Sequence, residues 1–118
     1  MNNLQITKKF TDWMNEGFCG KRDLPGFQIT RPLVLEDGTE LSIQAGRSHY
    51  CSPKQDAPVP DYDFYDAFEI GFPTKVIEET LEYAEDPEEP EDTVYAMVPK
   101  ELIERVIEKR GGVVGIGG

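Results

Sequence analysis

The sequence predicts an α+β fold: a small antiparallel β-sheet packed by two or three helices in a single domain. Three observations predict it. A turn-centred hairpin pattern occupies 27–45, and alternating or β-branched runs occupy 65–72 and 93–98. Between and around them lie segments with apolar residues at helical spacing. With 118 residues the chain is long enough for one core and too short for two.

The elements follow in chain order. Phe10, Trp13 and Met14 share one helical face within 4–16, and Gly17 stops that helix. GFCGKRDLPG (17–26) is a connector, so 1–26 forms an accessory helix-and-connector region and 27–118 the α+β domain, which holds every candidate ligand-binding residue named below. FQITRPLVL and ELSIQA flank Asp37-Gly38, which suits a tight turn. A two-residue turn pairs Val34 with Leu41; a slip of one pairs Leu35 with Leu41. Pro32 lacks a donor, which places its strand at an edge or at a bulge. Continued without a break, the second strand would put Leu41, Ile43 and Ala45 on one face with Arg47, His49 and Cys51. A core face cannot continue as Arg-His-Cys. Either the chain leaves the core at Gly46, or a bulge there turns Tyr50 inward.

Residues 55–63 form a loop, and 65–72 a half-buried strand with Phe68, Ile70 and Phe72 on its apolar face. Thr74 is placed to cap a helix over 75–84, with Val76, Ile77, Leu81 and Ala84 inward and Glu78, Glu79, Glu82 and Glu85 outward. EDPEEPED (85–92) is an acidic loop and TVYAMV (93–98) a strand. Pro99 starts a helix over 100–110 carrying Leu102, Ile103, Val106 and Ile107, with Glu101–Arg105 as an i,i+4 pair. Gly111-Gly112 end it, and VVGI forms a short last strand.

The formal charge of -11 excludes a general binder of polymeric nucleic acid, whose phosphates such a field repels. No apolar run has the length of a signal peptide or membrane span. Two cysteines make no disulfide scaffold, so the expected compartment is a reducing cytoplasm. The charge is segregated. Between Lys75 and Lys100 stand nine acids and no base, whereas GRSHYCSPKQ (46–55) is basic, aromatic and free of carboxylates.

That stretch offers Arg47, His49, Tyr50 and Lys54 as an anion-binding wall. Arginine donates in a fork that matches phosphate oxygens, and Tyr or His stacks on a base or donates a hydrogen bond. The plain alternative pairs Arg47 and Lys54 with the acidic loop. Cys51 with His49 suggests a thiol nucleophile, yet nothing nearby supplies an oxyanion hole or an orienting carboxylate, and buried Cys more often packs. Cys19, His49 and Cys51 lack a fourth metal ligand, so neither metal nor cofactor is expected. GFPTK (71–75) sits at a strand-to-helix junction, where free N–H groups, Lys75 and the face of Phe72 could take a phosphate and an adenine. Its plain alternative is a capped helix with Phe72 in the core.

Three stretches, IQAGRSHYCSPKQ (43–55), FEIGFPT (68–74) and YAEDPEEPEDTVYAMVP (83–99), resemble the phage-encoded Thoeris anti-defence proteins of the first type. The likeness runs from about residue 35 to Gly112. It implies an antiparallel sheet backed by helices and a non-enzymatic binder. Such a binder holds a cyclic ADP-ribose-type signal, made by a bacterial TIR-domain enzyme, intact in the host cytoplasm. It further implies dimers or higher homo-oligomers with pockets near subunit interfaces, and in some members cyclic di- or trinucleotides at a second site. Arg47 and Phe72 are the counterparts it marks first, followed by Lys100, Arg105 and Arg110 along the last helix. Lys100 stands where the family carries a more neutral residue. Thr74 belongs to the matching FEIGFPT stretch, and Asp92 could take ribose hydroxyls. The alternative from another class is an acidic mimic of nucleic acid that inhibits a basic defence protein through 78–92.

Overall fold

A computed structural model of the chain describes residues 8–19, 30–46, 49–53 and 61–117. Strands β1 (Leu33–Leu35) and β2 (Glu40–Gln44) form the expected hairpin, but in neither expected register. Leu33 pairs with Leu41 and Val34 with Glu40. The loop has three residues, not two: Gly38 N–H donates to Leu35 O at 2.9 Å, and Leu35 N–H donates to Thr39 O at 2.8 Å. Gly38 takes φ 93, the left-handed angle that closes such a loop. The Asp37 carboxylate accepts the Thr39 N–H at 2.9 Å and fastens it further.

Three more strands complete one antiparallel sheet in the order β4-β3-β2-β1-β5, with β3 at Ala67–Gly71, β4 at Val94–Pro99 and β5 at Val113–Ile116. β1 therefore lies inside the sheet, against the edge reading of Pro32. The proline escapes the conflict by preceding the strand, where only its carbonyl is used, accepting Gly117 N–H at 2.7 Å.

Leu33, Leu35, Leu41, Ile43, Phe68 and Ile70 line the inner sheet face, each at most 1% exposed. Helix α1 (Phe10–Glu16) lays Phe10 edge-on to Phe68, centroids 5.3 Å apart, and buries Met14 completely. Helix α2 (Lys100–Lys109) adds Ile103, Val106 and Ile107 to the same core, as its periodicity predicts. The N-terminal helix is thus part of the core and not an appendage to it.

The expected helix over 75–84 does not form. Ile77 is extended (φ -113, ψ 95), and only a 3₁₀ turn spans Glu78–Tyr83. The β-branched Val76, Ile77 and Thr80 oppose an α-helix, and Glu78 repels Glu82 one turn away. Of the four residues expected inward, Ile77 is fully buried, Leu81 and Ala84 are half-buried, and Val76 is 39% exposed.

β4 carries one extra residue against β3. Phe68 pairs with Val98 but Ile70 with Tyr95, so Ala96 and Met97 together oppose Glu69. The bulge lets Tyr95 and Val98 both face the core although three positions separate them. Met97 takes the strain, at φ 56. Among the described residues no helix is long and apolar enough to cross a membrane.

Candidate functional site

The chain leaves the core at Gly46, the first of the two alternatives. Gly46 is buried at φ 140, an angle other residues resist, and its carbonyl accepts His49 N–H at 3.1 Å. Cys51 then turns inward at 1% exposure. Its sulfur accepts Gly46 N–H and its thiol donates to Gly46 O, both at 3.2 Å. Tyr50 stays 46% exposed, so the inward turn of Tyr50 does not occur. Arg47 and Lys54, the two cations of the expected wall, lie outside the described residues.

His49 and Tyr50 come down on the outer face of the sheet, over Glu69. One Glu69 oxygen accepts Tyr50 N–H at 3.1 Å, and the other lies 3.5 Å from His49 Nδ1. The hydrogen bond from His49, then that from the Tyr50 peptide, holds the Glu69 carboxyl below its usual range despite partial burial. From the other side, the Met97 N–H donates to Tyr50 O at 3.1 Å. The peptide of Tyr50 is therefore held between β3 and the β4 bulge. Sequence reasoning missed Glu69 and Met97. Alternation along β3 does put Glu69 on the face opposite Phe68 and Ile70, and that signal could have found it; nothing local marks Met97.

Phe72 departs from its expected place. It does not join Phe68 and Ile70 in the core but is 59% exposed, at φ 42, with its N–H donating to Thr93 O at 3.0 Å. Asp92, the neighbour of Thr93, is exposed at the same end of the sheet. Thr74 caps no helix. Its hydroxyl accepts Glu40 N–H at 2.9 Å and its own N–H donates to Glu40 O at 3.4 Å, extending the sheet by one link. The helix N-terminus expected at GFPTK is therefore absent, and with it those free N–H groups. Lys75 donates to Asp37 O at 2.7 Å.

The basic residues of α2 do not join either group. Lys100 donates to Asp63 O at 2.7 Å and pairs with its carboxylate at 3.1 Å, while Lys9 and Thr11 reach the same carboxylate at 3.3 Å. The Lys100 hydrogen bond holds the Asp63 carboxyl below its ordinary value. Arg110 grips Glu79 with both terminal nitrogens, at 3.3 and 3.4 Å, and that contact pulls the Glu79 carboxyl down to about 2. Arg105 is exposed, and among the described residues it makes no ion pair with Glu101.

The structure thus places His49 and Tyr50 over Glu69 in β3 and, just past the end of that strand, Phe72 opposite Thr93, the neighbour of exposed Asp92. An open groove of about 650 Å³ lies elsewhere, between α1, the end of α2 and β5, lined in part by Trp13, Ile107 and Val113. Comparison of the chain with protein-family models, curated proteins and solved structures finds no match.

Proposed function

We propose that the protein sequesters a cyclic ADP-ribose-type signalling nucleotide in the host cytoplasm, holding it intact and so opposing Thoeris-type immunity. One observation carries the reading. Phe72, in the stretch that resembles the family, is kept out of the core at a backbone angle that bulky residues avoid. An aromatic ring held outward at a strained position is suited to take a planar base, and exposed Asp92 nearby is suited to ribose hydroxyls. Tyr50 and His49 supply a second polar-aromatic element. Binding by stacking and hydrogen bonding needs no nucleophile, and the buried, hydrogen-bonded Cys51 is placed to pack. Cyclic di- or trinucleotides are further ligand candidates, and assembly into a homodimer or larger homo-oligomer belongs to the same proposal.

The test is stoichiometric. Cyclic ADP-ribose isomers incubated with excess protein should become inaccessible to an effector and return unchanged after heating. A cleaved product would overturn the reading in favour of a hydrolase. Loss of capture in Phe72→Ala with an unchanged melting temperature is the accompanying expectation.

A second reading, the acidic mimic, draws on a specific observation. Residues 85–92 are a built loop: Asp86 accepts Glu88 N–H at 3.2 Å, Asp92 N–H donates to Glu89 O at 2.9 Å, and Tyr95 anchors Pro90 through its hydroxyl. Glu88, Glu89 and Glu91 are all exposed. Neutralising those three should abolish activity in a mimic and leave nucleotide capture intact.

A further inference from the structure

We infer that Tyr50 and Met97 together form a stacking platform for the purine ring of a nucleotide, with Glu69 as the residue that positions it. The inference rests on the nucleotide-binding reading and adds a subsite to it, distinct from Phe72.

The observations begin with the backbone. Met97 sits in a β-bulge at φ 56 with its side chain 44% exposed. A long apolar residue here is doubly unfavourable: the angle suits glycine, and the thioether is left in water. The bulge alone does not require methionine, since glycine would adopt the same angle without strain. What methionine adds is a polarizable, adaptable surface that favours contact with aromatic rings. The Met97 N–H to Tyr50 O hydrogen bond at 3.1 Å sets the two residues side by side, and both side chains remain exposed. A flat heteroaromatic ring is the ligand class that a tyrosine face beside a thioether takes best.

Glu69 makes the platform rigid. Its carboxylate receives Tyr50 N–H and faces His49, so the Tyr50 peptide is fixed from β3 while the bulge fixes it from β4. Order established before binding lowers the entropy lost on binding. Glu69 does not itself touch the ring; it acts through Tyr50.

The experiment uses the full chain with methyl-labelled methionine, titrated with ADP-ribose, its cyclic isomers and adenosine monophosphate. Stacking should move the Met97 methyl resonance upfield through the ring current. Met97→Gly should raise the melting temperature, because strain is removed, and weaken nucleotide binding about tenfold, as should Tyr50→Ala. Glu69→Gln, which keeps an acceptor for the Tyr50 peptide, should bind better than Glu69→Ala, whose Tyr50 amide should exchange faster with solvent. Nucleotide binding with an unmoved Met97 methyl and unweakened Met97→Gly and Tyr50→Ala would overturn the platform alone. If no nucleotide in the panel moves any resonance, the sequestration reading falls and takes the platform with it.

Discussion

Phe68 and Phe72 stand four residues apart around β3, where alternation assigns them to one face, yet they end in opposite environments. Phe68 is completely buried against α1, while Phe72 is 59% exposed. Phe72 lies just past the end of β3 and takes φ 42, so the strand's alternation does not carry on to it. Side-chain chemistry does not distinguish a core residue from a candidate contact residue here; the backbone does. The same contrast divides the polar groups. Lys100 and Arg110 are held by Asp63 and Glu79 at the ends of α2, whereas the His49–Tyr50 segment is held by Glu69 so that Tyr50 faces outward.

The largest expected effect breaks the buried end. Phe68→Ala should destabilise the fold by about 3–5 kcal/mol, read from urea midpoints at constant m-value, since it opens a cavity under α1. Phe72→Ala should stay within about 0.5 kcal/mol of the parent in the same assay. Equal losses at the two positions would erase the contrast.

Next comes the Arg110–Glu79 pair. Its folded-state carboxyl lies at about 2 against an ordinary 4.5, so the charged form is favoured in the folded state. The resulting stability is present above about pH 4.5 and is lost as pH falls toward 2. Both side chains are partly solvated, which screens the gain to about 1–2 kcal/mol. Arg110→Ala should lower the melting temperature at pH 7 and flatten its decline between pH 5 and about 3. An acid limb as steep as the parent's would assign that decline to other carboxylates.

Phe72→Gly sharpens the comparison in the opposite direction. Removing a bulky side chain from a left-handed angle should stabilise by up to about 1 kcal/mol while weakening nucleotide capture. Thermal melts and ligand titration on one preparation check both signs. A small effect is expected at Lys100→Ala, about 0.5–1 kcal/mol of stability with capture unchanged, because its ammonium is engaged by Asp63. A large loss of capture there would return Lys100 to the ligand site.

Much of the fold was legible because its signals are local. The helical stripe of Ile103, Val106 and Ile107, the alternation of Phe68 and Ile70, and the turn at Asp37-Gly38 each lie within a few residues of chain. The helix expected over 75–84 failed on a local conflict, β-branching and like charges outweighing apolar spacing. The hairpin register failed because Asp37-Gly38 suits both loop lengths: a two-residue turn needs positive φ at both residues, a three-residue loop at Gly38 alone, and here Asp37 does not take a positive angle. Of the candidate site, His49, Tyr50 and Phe72 were visible as residue types. Their partners were not, because Glu69 and Met97 reach Tyr50 from strands 19 and 47 positions away in the chain.

By itself the sequence determined the α+β class, the order of the five strands and the two helices that flank them, the charge segregation and the break of environment at Gly46. Those follow from periodicity, turn chemistry and the cost of burying Arg and His beside Leu41 and Ile43. Only the tertiary structure decided that Phe72 faces outward, that Lys100 and Arg110 are engaged by acids, and that a β4 bulge clasps Tyr50 over Glu69. Bulges, positive φ angles and ion-pair partners are settled by the register of distant strands, and no short window of sequence carries that register.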